Sequence, residues 1–304
     1  MIITPDQEIG MFGSLRFVSF PPMQELPRLV DLVANRITAS PQTRLLCLSL
    51  SLADRNWNYS GTISPFWRLY VNSEDGASVY WGRPRVRHRL RGRRVHLVPA
   101  WLEFDCANES GRDIEHFFIH FGLLGLPPRA SSVLTERPVE LPAEHPAEAV
   151  AAALIERCRA SPKPDLAMVL TGSALVNLSI ATLSEPLTRD GTNDALALEN
   201  CSITEVLRRI EAEPAKAWVN AELAEISGYS EHHFIQLFKR AAGRTPSRYV
   251  LERRVAVAAE KLVFTHLSVE TIAAECGFAN RFHFSRTFRS VIGTSPVAYR
   301  LARF

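Results

Sequence analysis

Short apolar runs separated by turn residues fill the chain between residues 43 and 121. The runs are LLCLSLSL, PFWRLYVN, ASVYWG, RVHLVP, LEFDC and HFFIHF, with Gly, Pro, Asn or Asp between them. Apolar runs of this length, separated by turn residues, are typical of strands in an all-β sandwich or barrel. The pattern therefore predicts a β domain in the first part of the chain.

Two helical segments are predicted after these strands. Residues 146–160 begin with a proline in a first-turn position, which favours a helix start there. Residues 165–184 carry no charge after Asp165 and are long enough to span a membrane. Thr, Gly, Ser and Asn interrupt that run, however, and it lies in the middle of the chain. We therefore expect a helix buried against the β domain or against a second subunit.

A polar stretch divides the chain into two parts. Residues 185–194 hold Pro, Gly, Asn and two Asp without apolar periodicity, which is typical of a linker. We expect a domain at residues 1–185, a linker at 186–200 and a second domain at 201–304. A chain of 304 residues is long enough for each domain to bury a core of its own.

The second predicted domain contains an internal repeat. Four pairs of matched residues lie 49 positions apart, and five further pairs lie 50 apart. The pairs are Leu223/Ile272, Ala224/Ala273, Gly228/Gly277, Tyr229/Phe278, Phe234/Phe284, Phe238/Phe288, Gly243/Gly293, Pro246/Pro296 and Tyr249/Tyr299. One residue is therefore added after the Gly-aromatic pair of the second copy. The repeat predicts two units of the same architecture.

Each copy has the apolar spacing of two short helices joined by a glycine turn. In the first copy Leu223, Ala224 and Ser227 share one helix face, and Phe234 and Phe238 share a face of the next helix. The glycine between them is in the place of a left-handed helix end. A helix, a glycine turn and a second helix with a polar, basic outer face is the helix-turn-helix pattern.

Two further helices are predicted around the copies. Residues 202–214 have one apolar stripe and predict a helix that supports the first unit. Residues 249–264 are good helix formers and predict a connecting helix that fixes the two units at a set separation. The second domain is therefore expected to be all-α.

The charge distribution supports a polyanion partner for the second domain. Residues 200–304 carry 15 Lys and Arg against 10 Glu and no Asp, whereas the rest of the chain carries 20 against 22. A basic domain on a near-neutral body favours nucleic acid as the partner. Five cysteines without C-x-x-C spacing, and a start without a basic leader, predict a cytoplasmic protein with reduced thiols and no membrane association.

On these residues the second domain resembles the AraC/XylS family of bacterial transcription regulators. The densest match is GFANRFHFSRTFRSVIGTSPVAYR, from Gly277 to Arg300, with the Gly-Phe turn, the Phe-Ser-Arg-x-Phe core and the Gly-x-Ser-Pro-x-x-Tyr-Arg ending of that family. The resemblance implies a multidomain α and β protein that regulates transcription through two helix-turn-helix units joined by a linker helix. The run from Pro65 to Phe121 resembles the closing strands of the cupin-like β-barrel that binds an effector in the family. Flanking helices would then dimerise.

The resemblance also implies which residues read DNA. The base-reading candidates are His232, Ile235 and Gln236 in the first unit, and Arg281, Phe282, Ser285 and Arg286 in the second. Arg can bind guanine bidentately, Gln can bind adenine, and an apolar group can contact a thymine methyl. The phosphate-binding candidates are Lys239, Arg240, Arg244 and Arg289.

Other interpretations of these residues stay open. Phe282 could be a core residue, Arg286 could brace the two helices internally, and Lys239 and Arg240 could be solvated charges. His233 and His283 lie near the buried stripe and are predicted to pack rather than to read bases. Because the two units carry different outer residues, we expect one subunit to read an asymmetric DNA site.

Three hypotheses compete for the first domain: an effector-binding barrel, a cupin enzyme, and a barrel that only dimerises. The aromatic residues suited to stacking on a sugar or an aromatic ring are Trp67, Tyr70, Tyr80, Trp81 and Trp101, which are also typical core residues. An enzyme would need a metal cluster, but His116 and His120 lie about 13 Å apart along a strand, too far to share one ion. His88 and His96 lie by seven arginines at 83–94, which repel a cation. We therefore expect no metal, no cofactor and no catalysis.

The expected partners follow from both domains. They are double-stranded DNA, a small-molecule effector such as a carbohydrate, RNA polymerase if the protein is an activator, and a second copy of the chain in a homodimer.

Overall fold

The computed structural model of the protein describes residues 42–124, 136–161, 163–189 and 201–301. Within these ranges the chain forms nine strands followed by nine helices. The strands are β1 (Gln42–Ala53), β2 (Asn58–Thr62), β3 (Trp67–Asn72), β4 (Ala77–Trp81), β5 (Val86–Leu90), β6 (His96–Val98), β7 (Phe104–Asn108), β8 (Ile114–Leu124) and β9 (Val139–Glu140). The helices are α1 (Pro146–Ala160), α2 (Leu166–Arg189), α3 (Cys201–Ala212), α4 (Asn220–Ser227), α5 (Glu231–Ala242), α6 (Pro246–Phe264), α7 (Val269–Glu275), α8 (Arg281–Ile292) and α9 (Pro296–Leu301).

The strands form two sheets. One sheet has the order β1-β8-β3-β6-β9, and the other has the order β2-β7-β4-β5. All the pairings between these strands are antiparallel. The predicted β domain is therefore confirmed, but the described strands make two sheets and do not close into a single barrel.

Strand β8 is an inner strand of the larger sheet and is covered on both faces. It pairs with β1 on one side and with β3 on the other. Because side chains alternate along a strand, Phe117 and Ile119 face one way while His116, Phe118 and His120 face the other. Phe117 and Ile119 belong to the hydrophobic core that the sheet forms with the helices. The two histidines and Phe118 face the space between the two sheets. Burial on both faces explains why the run HFFIHF lacks a simple polar alternation.

Helices α1 and α2 cover the outer face of the larger sheet. Leu154 of α1 and Leu175 of α2 are fully buried in the same core as Phe117 and Ile119. Gly172 brings α2 close to the sheet, since an added Cβ there would lie 2.9 Å from the Leu48 side chain. The prediction of a helix packed on the β domain is confirmed.

Helix α2 is longer than predicted. By length and composition alone its residues 166–184 could also cross a membrane, although 33% of this segment is buried in the protein. The helix continues through Arg189, so the first part of the predicted linker 186–200 is helical. Residues 190–200 lie outside the described residues.

The C-terminal domain has two cores that share one helix. The core of the first unit includes Phe234, Phe238 and Val250, and the core of the second includes Val255 and Leu262. Val250, Val255 and Leu262 all lie on α6, so the connecting helix contributes its first half to one unit and its second half to the other. The predicted pair of linked helix-turn-helix units is confirmed.

The glycines that end the first helix of each unit lie where the sequence predicted them. Gly228 and Gly277 have φ angles of 72° and 76°, in the left-handed region that glycine adopts without strain. Ser268 accepts a hydrogen bond from the Thr271 backbone N–H at 3.0 Å and caps α7. Val219 stands in the same place before α4 and provides no side-chain cap.

Candidate nucleic-acid interface and effector cavity

The second helices of the two units, α5 and α8, are anchored in the same way. Phe234 and Phe238 on α5 are fully buried, with ring centroids 5.6 Å apart. Phe284 and Phe288 occupy the same places on α8, 5.5 Å apart. The two helices have the same sequence of buried, half-buried and exposed positions over their first eleven residues, and they differ only at the last, where Ala242 is half-buried and Ile292 is buried. The same face of each therefore remains open to solvent.

The aromatic residue of each turn contacts a histidine of the helix that follows. The rings of Tyr229 and His233 are 5.0 Å apart, and those of Phe278 and His283 are 5.7 Å apart, both edge-on. Each histidine ring thus contacts the turn, but both histidines are exposed, and their role in packing rather than in base reading stays a prediction.

The open face of α5 is polar. His232 and Gln236 are exposed, and their side-chain nitrogens lie 3.0 Å apart, so one can orient the other. Ile235 is half-buried beside them. Lys239 and Arg240 are exposed in the last turn of the helix.

The open face of α8 is basic and aromatic. Phe282 is 69% exposed and is not a core residue. The Arg281 guanidinium lies 5.3 Å from the centre of its ring, an attraction between a cation and the face of an aromatic ring. Ser285 is half-buried, whereas Arg286 is exposed and does not brace the helices internally. Asn280 caps the helix by accepting from the backbone N–H groups of residues 282 and 283.

Most of the positively charged residues predicted to bind DNA form no ion pair among the residues that the structure describes. Five of them have no acidic partner among the residues that the structure describes: Lys239, Arg240, Arg281, Arg286 and Arg289. Arg244 differs, because it pairs with Glu252, which also binds Arg248 at 2.7 Å. A set of exposed cations without local counter-charges gives the face a positive potential that attracts phosphate.

The space between the two sheets holds a cavity of about 290 Å³. Trp57, Tyr70, Phe104 and Phe118 form most of its apolar wall, and Arg68, His116 and His120 supply polar atoms. A cavity of this kind, mainly aromatic with a few polar groups, is the usual form of a small-molecule site. Its position between two β-sheets gives it a rigid frame.

The polar groups of the cavity are buried and differ in charge. Arg68 is 1% exposed, donates to Ser64 Oγ, and lies between the rings of Phe66 and Phe104 at 4.9 and 5.0 Å. Burial lowers the pKa of His116 to about 3. Burial and the neighbouring Arg68 charge hold the pKa of His120 well below its usual value. Both imidazoles are therefore neutral at pH 7, and Arg68 carries a positive charge.

The aromatic residues predicted for the effector do not come together. Tyr70 lines the cavity, but Trp67 lies on the opposite face of β3 and stacks on Phe121 at 6.1 Å. Tyr80 binds Glu109 at the surface. Trp81 is half-buried, and Trp101 is 38% exposed; neither lines the cavity.

The sequence interpretation missed Trp57, Arg68 and both histidines as cavity residues. Arg68 had a signal, since it is the only charge inside the apolar run PFWRLYVN. The basic run at 83–94 is largely paired instead, for example Arg85 with Asp105 at 2.8 Å and Arg91 with Glu140 at 3.1 Å. The described residues contain no group of three or more His, Cys, Asp or Glu side chains arranged for a metal ion.

The second helix-turn-helix unit contacts the β domain beside this cavity. The Tyr299 hydroxyl donates to Ser64 Oγ at 3.1 Å, and both atoms are buried. The ring of Phe264, at the end of α6, lies 5.9 Å from Phe66 and 6.2 Å from His120. A cleft of about 290 Å³ follows this contact and is lined by residues 58–63, Ile292, Thr294, Ala298 and Tyr299.

Two helix-turn-helix units on one connecting helix, next to a two-sheet domain with a cavity, define a DNA-binding transcription regulator. The profile of a helix-turn-helix domain family matches residues 223–302. The HTH-type transcriptional activator AarP of Providencia stuartii is 32% identical over 100 residues, which are 33% of this chain and 74% of AarP. The chain belongs to the AraC/XylS family of transcription regulators.

Other relatives match over a comparable length of the chain. The MmsAB operon regulatory protein of Pseudomonas aeruginosa is 31% identical over 118 residues, 39% of this chain and 36% of that protein. The regulator Rv1931c of Mycobacterium tuberculosis is 40% identical over 81 residues, 27% of this chain and 31% of that protein. The chain thus spans only about a third of the length of these two relatives.

Solved structures of ToxT resemble most of the chain. ToxT from Vibrio cholerae O395 covers 86% of this chain and 98% of its own, with a TM-score of 0.51 and 13% identity. This likeness shows the fold, a β-rich N-terminal domain followed by a helical DNA-binding domain. The family consists of transcription regulators rather than enzymes.

Proposed function

We propose that the protein reads one asymmetric DNA site through the exposed faces of α5 and α8, under the control of a small molecule bound between its two sheets. The observation that supports the first part is that the two helices share one burial pattern over their first eleven residues but carry different exposed side chains. The same scaffold presents His232, Ile235 and Gln236 in one unit and Arg281, Phe282, Ser285 and Arg286 in the other. Different side chains on equivalent scaffolds would recognise different bases.

The chemistry of each exposed set suggests what it reads. Arg281 and Arg286 can each bind the O6 and N7 atoms of guanine, and the exposed Phe282 ring can meet a thymine methyl. Gln236, oriented by His232, can bind adenine. Lys239, Arg240 and Arg289 lie in the last turns of their helices and would bind phosphates. Arg244 would have to leave Glu252 to do so and would contribute less.

Substitution separates base reading from phosphate binding. Arg281→Ala is expected to cost about 1–3 kcal/mol of binding free energy and to relax preference at one base pair. Lys239→Ala should weaken all sequences equally and reduce the salt dependence of binding by about one unit of slope. Arg208→Ala is the matched control, because Arg208 is an exposed arginine of the same domain that pairs with Glu205 on α3. Equal weakening of every sequence by Arg281→Ala would assign Arg281 to phosphate instead.

For the effector we propose an apolar carboxylic acid in the cavity between the sheets. The wall is mainly aromatic, and Arg68 brings a positive charge to it, whereas a sugar would need many polar partners. A structure of ToxT, with a TM-score of 0.51 to this chain, is bound to (E)-4-(8-methylnaphthalen-1-yl)but-3-enoic acid. That acid combines a flat apolar body with one carboxylate.

A thermal-shift comparison on the full chain tests this choice. A naphthyl-substituted butenoic acid should raise the melting temperature of the wild type and fail to do so for Arg68→Lys, since Lys lacks the planar fork that pairs with a carboxylate. Arg112→Lys is the control, because Arg112 is exposed and pairs with Glu74 away from the cavity. Stabilisation by sugars, with none by the acid, would support the carbohydrate effector that the sequence suggested.

We further propose a homodimer formed through α2. Leu166 and Leu170 on that helix are 74% and 61% exposed, and Val169 between them is 39% exposed, so the first turns of α2 present an apolar surface to solvent. Leu170→Glu should convert a dimer to a monomer in sedimentation at micromolar concentration. Val86→Glu, at an exposed apolar position on β5, should leave the dimer intact.

The remaining expectations complete the proposal. AarP is a transcriptional activator, so we propose that this protein also activates transcription and therefore contacts RNA polymerase. It would act in the cytoplasm, where bacterial DNA lies. The two-sheet domain would serve the role of the cupin-like barrel of the family. Reporter expression from the operator, with and without the protein, distinguishes activation from repression.

A further inference from the structure

The two helix-turn-helix units touch each other directly, in addition to sharing α6. The contact joins the turn of the second unit, at Gly277, to residues 213–219, the loop that leads into α4 of the first unit. An added Cβ on Gly277 would overlap the Ala215 carbonyl oxygen and lie 3.0 Å from Ala215 Cα. The backbones of the two units are therefore as close as glycine permits.

Arg254 of α6 holds both sides of this contact. Its Nε donates to the Pro214 carbonyl at 2.9 Å, and its Nη2 donates to the Lys216 carbonyl at 2.8 Å and the Ala215 carbonyl at 3.3 Å. Its Nη1 donates to the Gly277 carbonyl at 2.8 Å. One guanidinium thus binds three oxygens of the first unit and one of the second. Burial of the guanidinium lowers the pKa of Arg254.

One side of the contact is attached to α4, the helix that precedes the reading helix α5, and the other side is attached to the reading helix α8. In the first unit, Trp218 Nε1 donates to the Glu213 carbonyl at 2.9 Å, and Lys216 Nζ binds Glu222 of α4 at 2.6 Å. In the second unit, Gly277 precedes the buried ring of Phe278, which contacts Phe284 of α8. A displacement at Arg254 would therefore move α4–α5 relative to α8.

We infer that Arg254 is a positioning residue that fixes the distance and the rotation between the two reading helices, and so determines which spacing of half-sites the protein accepts. The inference rests on the DNA-reading role proposed above for α5 and α8. Helix α6 alone fixes the separation along its own axis. The bridge at Arg254 adds a further attachment outside the two cores, between the loop before α4 and the turn before α8, and this attachment resists rotation of one unit against the other.

Arginine suits this role because its donors form a rigid planar fork. Five N–H groups point in fixed directions, so four carbonyl oxygens can be held at once. A lysine ammonium at the same place has three donors on a flexible stem and cannot span the four oxygens. Neither Arg254→Lys nor Arg254→Met should keep the two units in register.

The test uses the full chain and DNA selected by the wild type from a random library. From the best selected site, two operators are made with one base pair inserted or deleted between the half-sites. Each change moves one half-site by about 3.4 Å along the duplex and about 35° around it. The wild type should lose about tenfold or more in affinity on each altered operator, which is roughly 1.4 kcal/mol. Arg254→Met and Arg254→Lys should lose less than about threefold relative to their own affinity for the original operator.

Arg253→Met is the matched control. Arg253 neighbours Arg254 on α6 and binds Glu211 at 2.7 Å, within the first unit. This variant loses a half-buried ion pair but leaves the bridge, so it should discriminate between spacings as the wild type does. If Arg254→Met does not fold, Arg254→Lys decides the result, with the same expected loss of discrimination.

The outcomes separate this inference from the proposed function. If Arg281→Ala relaxes base preference while both folded Arg254 variants keep the full discrimination between spacings, α6 alone positions the units and the inference is wrong. If Arg281→Ala changes nothing on any operator, the assignment of α8 to base reading fails first.

Discussion

The Tyr299 hydroxyl lies 3.1 Å from Ser64 Oγ, a buried hydrogen bond between residues 235 positions apart. Ser64 Oγ also accepts from Arg68 in the cavity wall, and the Tyr299 ring lies 5.3 Å from Phe288 on α8. Burial raises the pKa of Tyr299 to about 12, so the hydroxyl remains a donor at physiological pH. Three side chains therefore connect the cavity to a reading helix.

Tyr299→Phe should uncouple the effector from DNA binding. The ring would stay packed on Phe288, but the hydrogen bond to Ser64 would be lost at a cost of about 1 kcal/mol of folding stability. DNA affinity without effector should stay within about threefold of the wild type, while the change in affinity caused by the effector should shrink. Fluorescence anisotropy with labelled operator, with and without the acid, measures both quantities.

Tyr249→Phe is the internal control for that experiment. Tyr249 is the repeat partner of Tyr299, but its hydroxyl bonds to Glu211 at 2.6 Å inside the first unit. It should lose a similar amount of stability and keep the effector response. An equal loss of response in both variants would mean that general loosening, and not the Ser64 contact, carries the signal.

Phe288→Ala should unfold the second unit locally before the first. Phe288 is fully buried in the core that contains Ile272 and Tyr299, and such a truncation costs about 3–5 kcal/mol. Hydrogen exchange should accelerate in α7, α8 and α9 while α3 and α4 keep their protection. The matched variant Phe238→Ala should show the reverse pattern, because Phe238 belongs to the other core. Uniform acceleration in both variants would show that the domain opens as one cooperative unit.

Stability should fall in mild acid. The pKa of His116 is lowered by burial to about 3 and that of His96 to about 4, against 6.5 when unfolded. Between pH 6.5 and 4 the unfolded chain therefore binds protons that the folded chain does not, so falling pH favours unfolding. The melting temperature should drop from pH 7.5 to pH 5, and less so for His116→Gln. An identical pH dependence in that variant would remove His116 from the explanation.

Local patterns made the helical domain predictable. The positions of Gly228 and Gly277 and the phenylalanine spacing depend on neighbours within a few residues, so the repeat revealed them directly. The cavity depends on strand pairing over long distances. Trp67 and Tyr70 are three positions apart on β3 and therefore face opposite ways, but the sequence alone does not say which face is the cavity.

Local sequence patterns also could not show whether the strands close into one barrel or form two sheets. A barrel and a two-sheet sandwich have the same short strands and turns, and they differ only in which edges pair. Arg68 could have been recognised as unusual by its place in an apolar run. Its role still depends on Ser64, Phe66 and Phe104 meeting around it.

The central claim is that α5 and α8 read different halves of one DNA site. Its most direct test is the sequence preference of the wild type, Gln236→Ala and Arg281→Ala, each measured by selection from the same random DNA library. We predict that Gln236→Ala loses preference in one half-site only and Arg281→Ala in the other half-site only. Loss spread evenly over both halves in the two variants would contradict the claim.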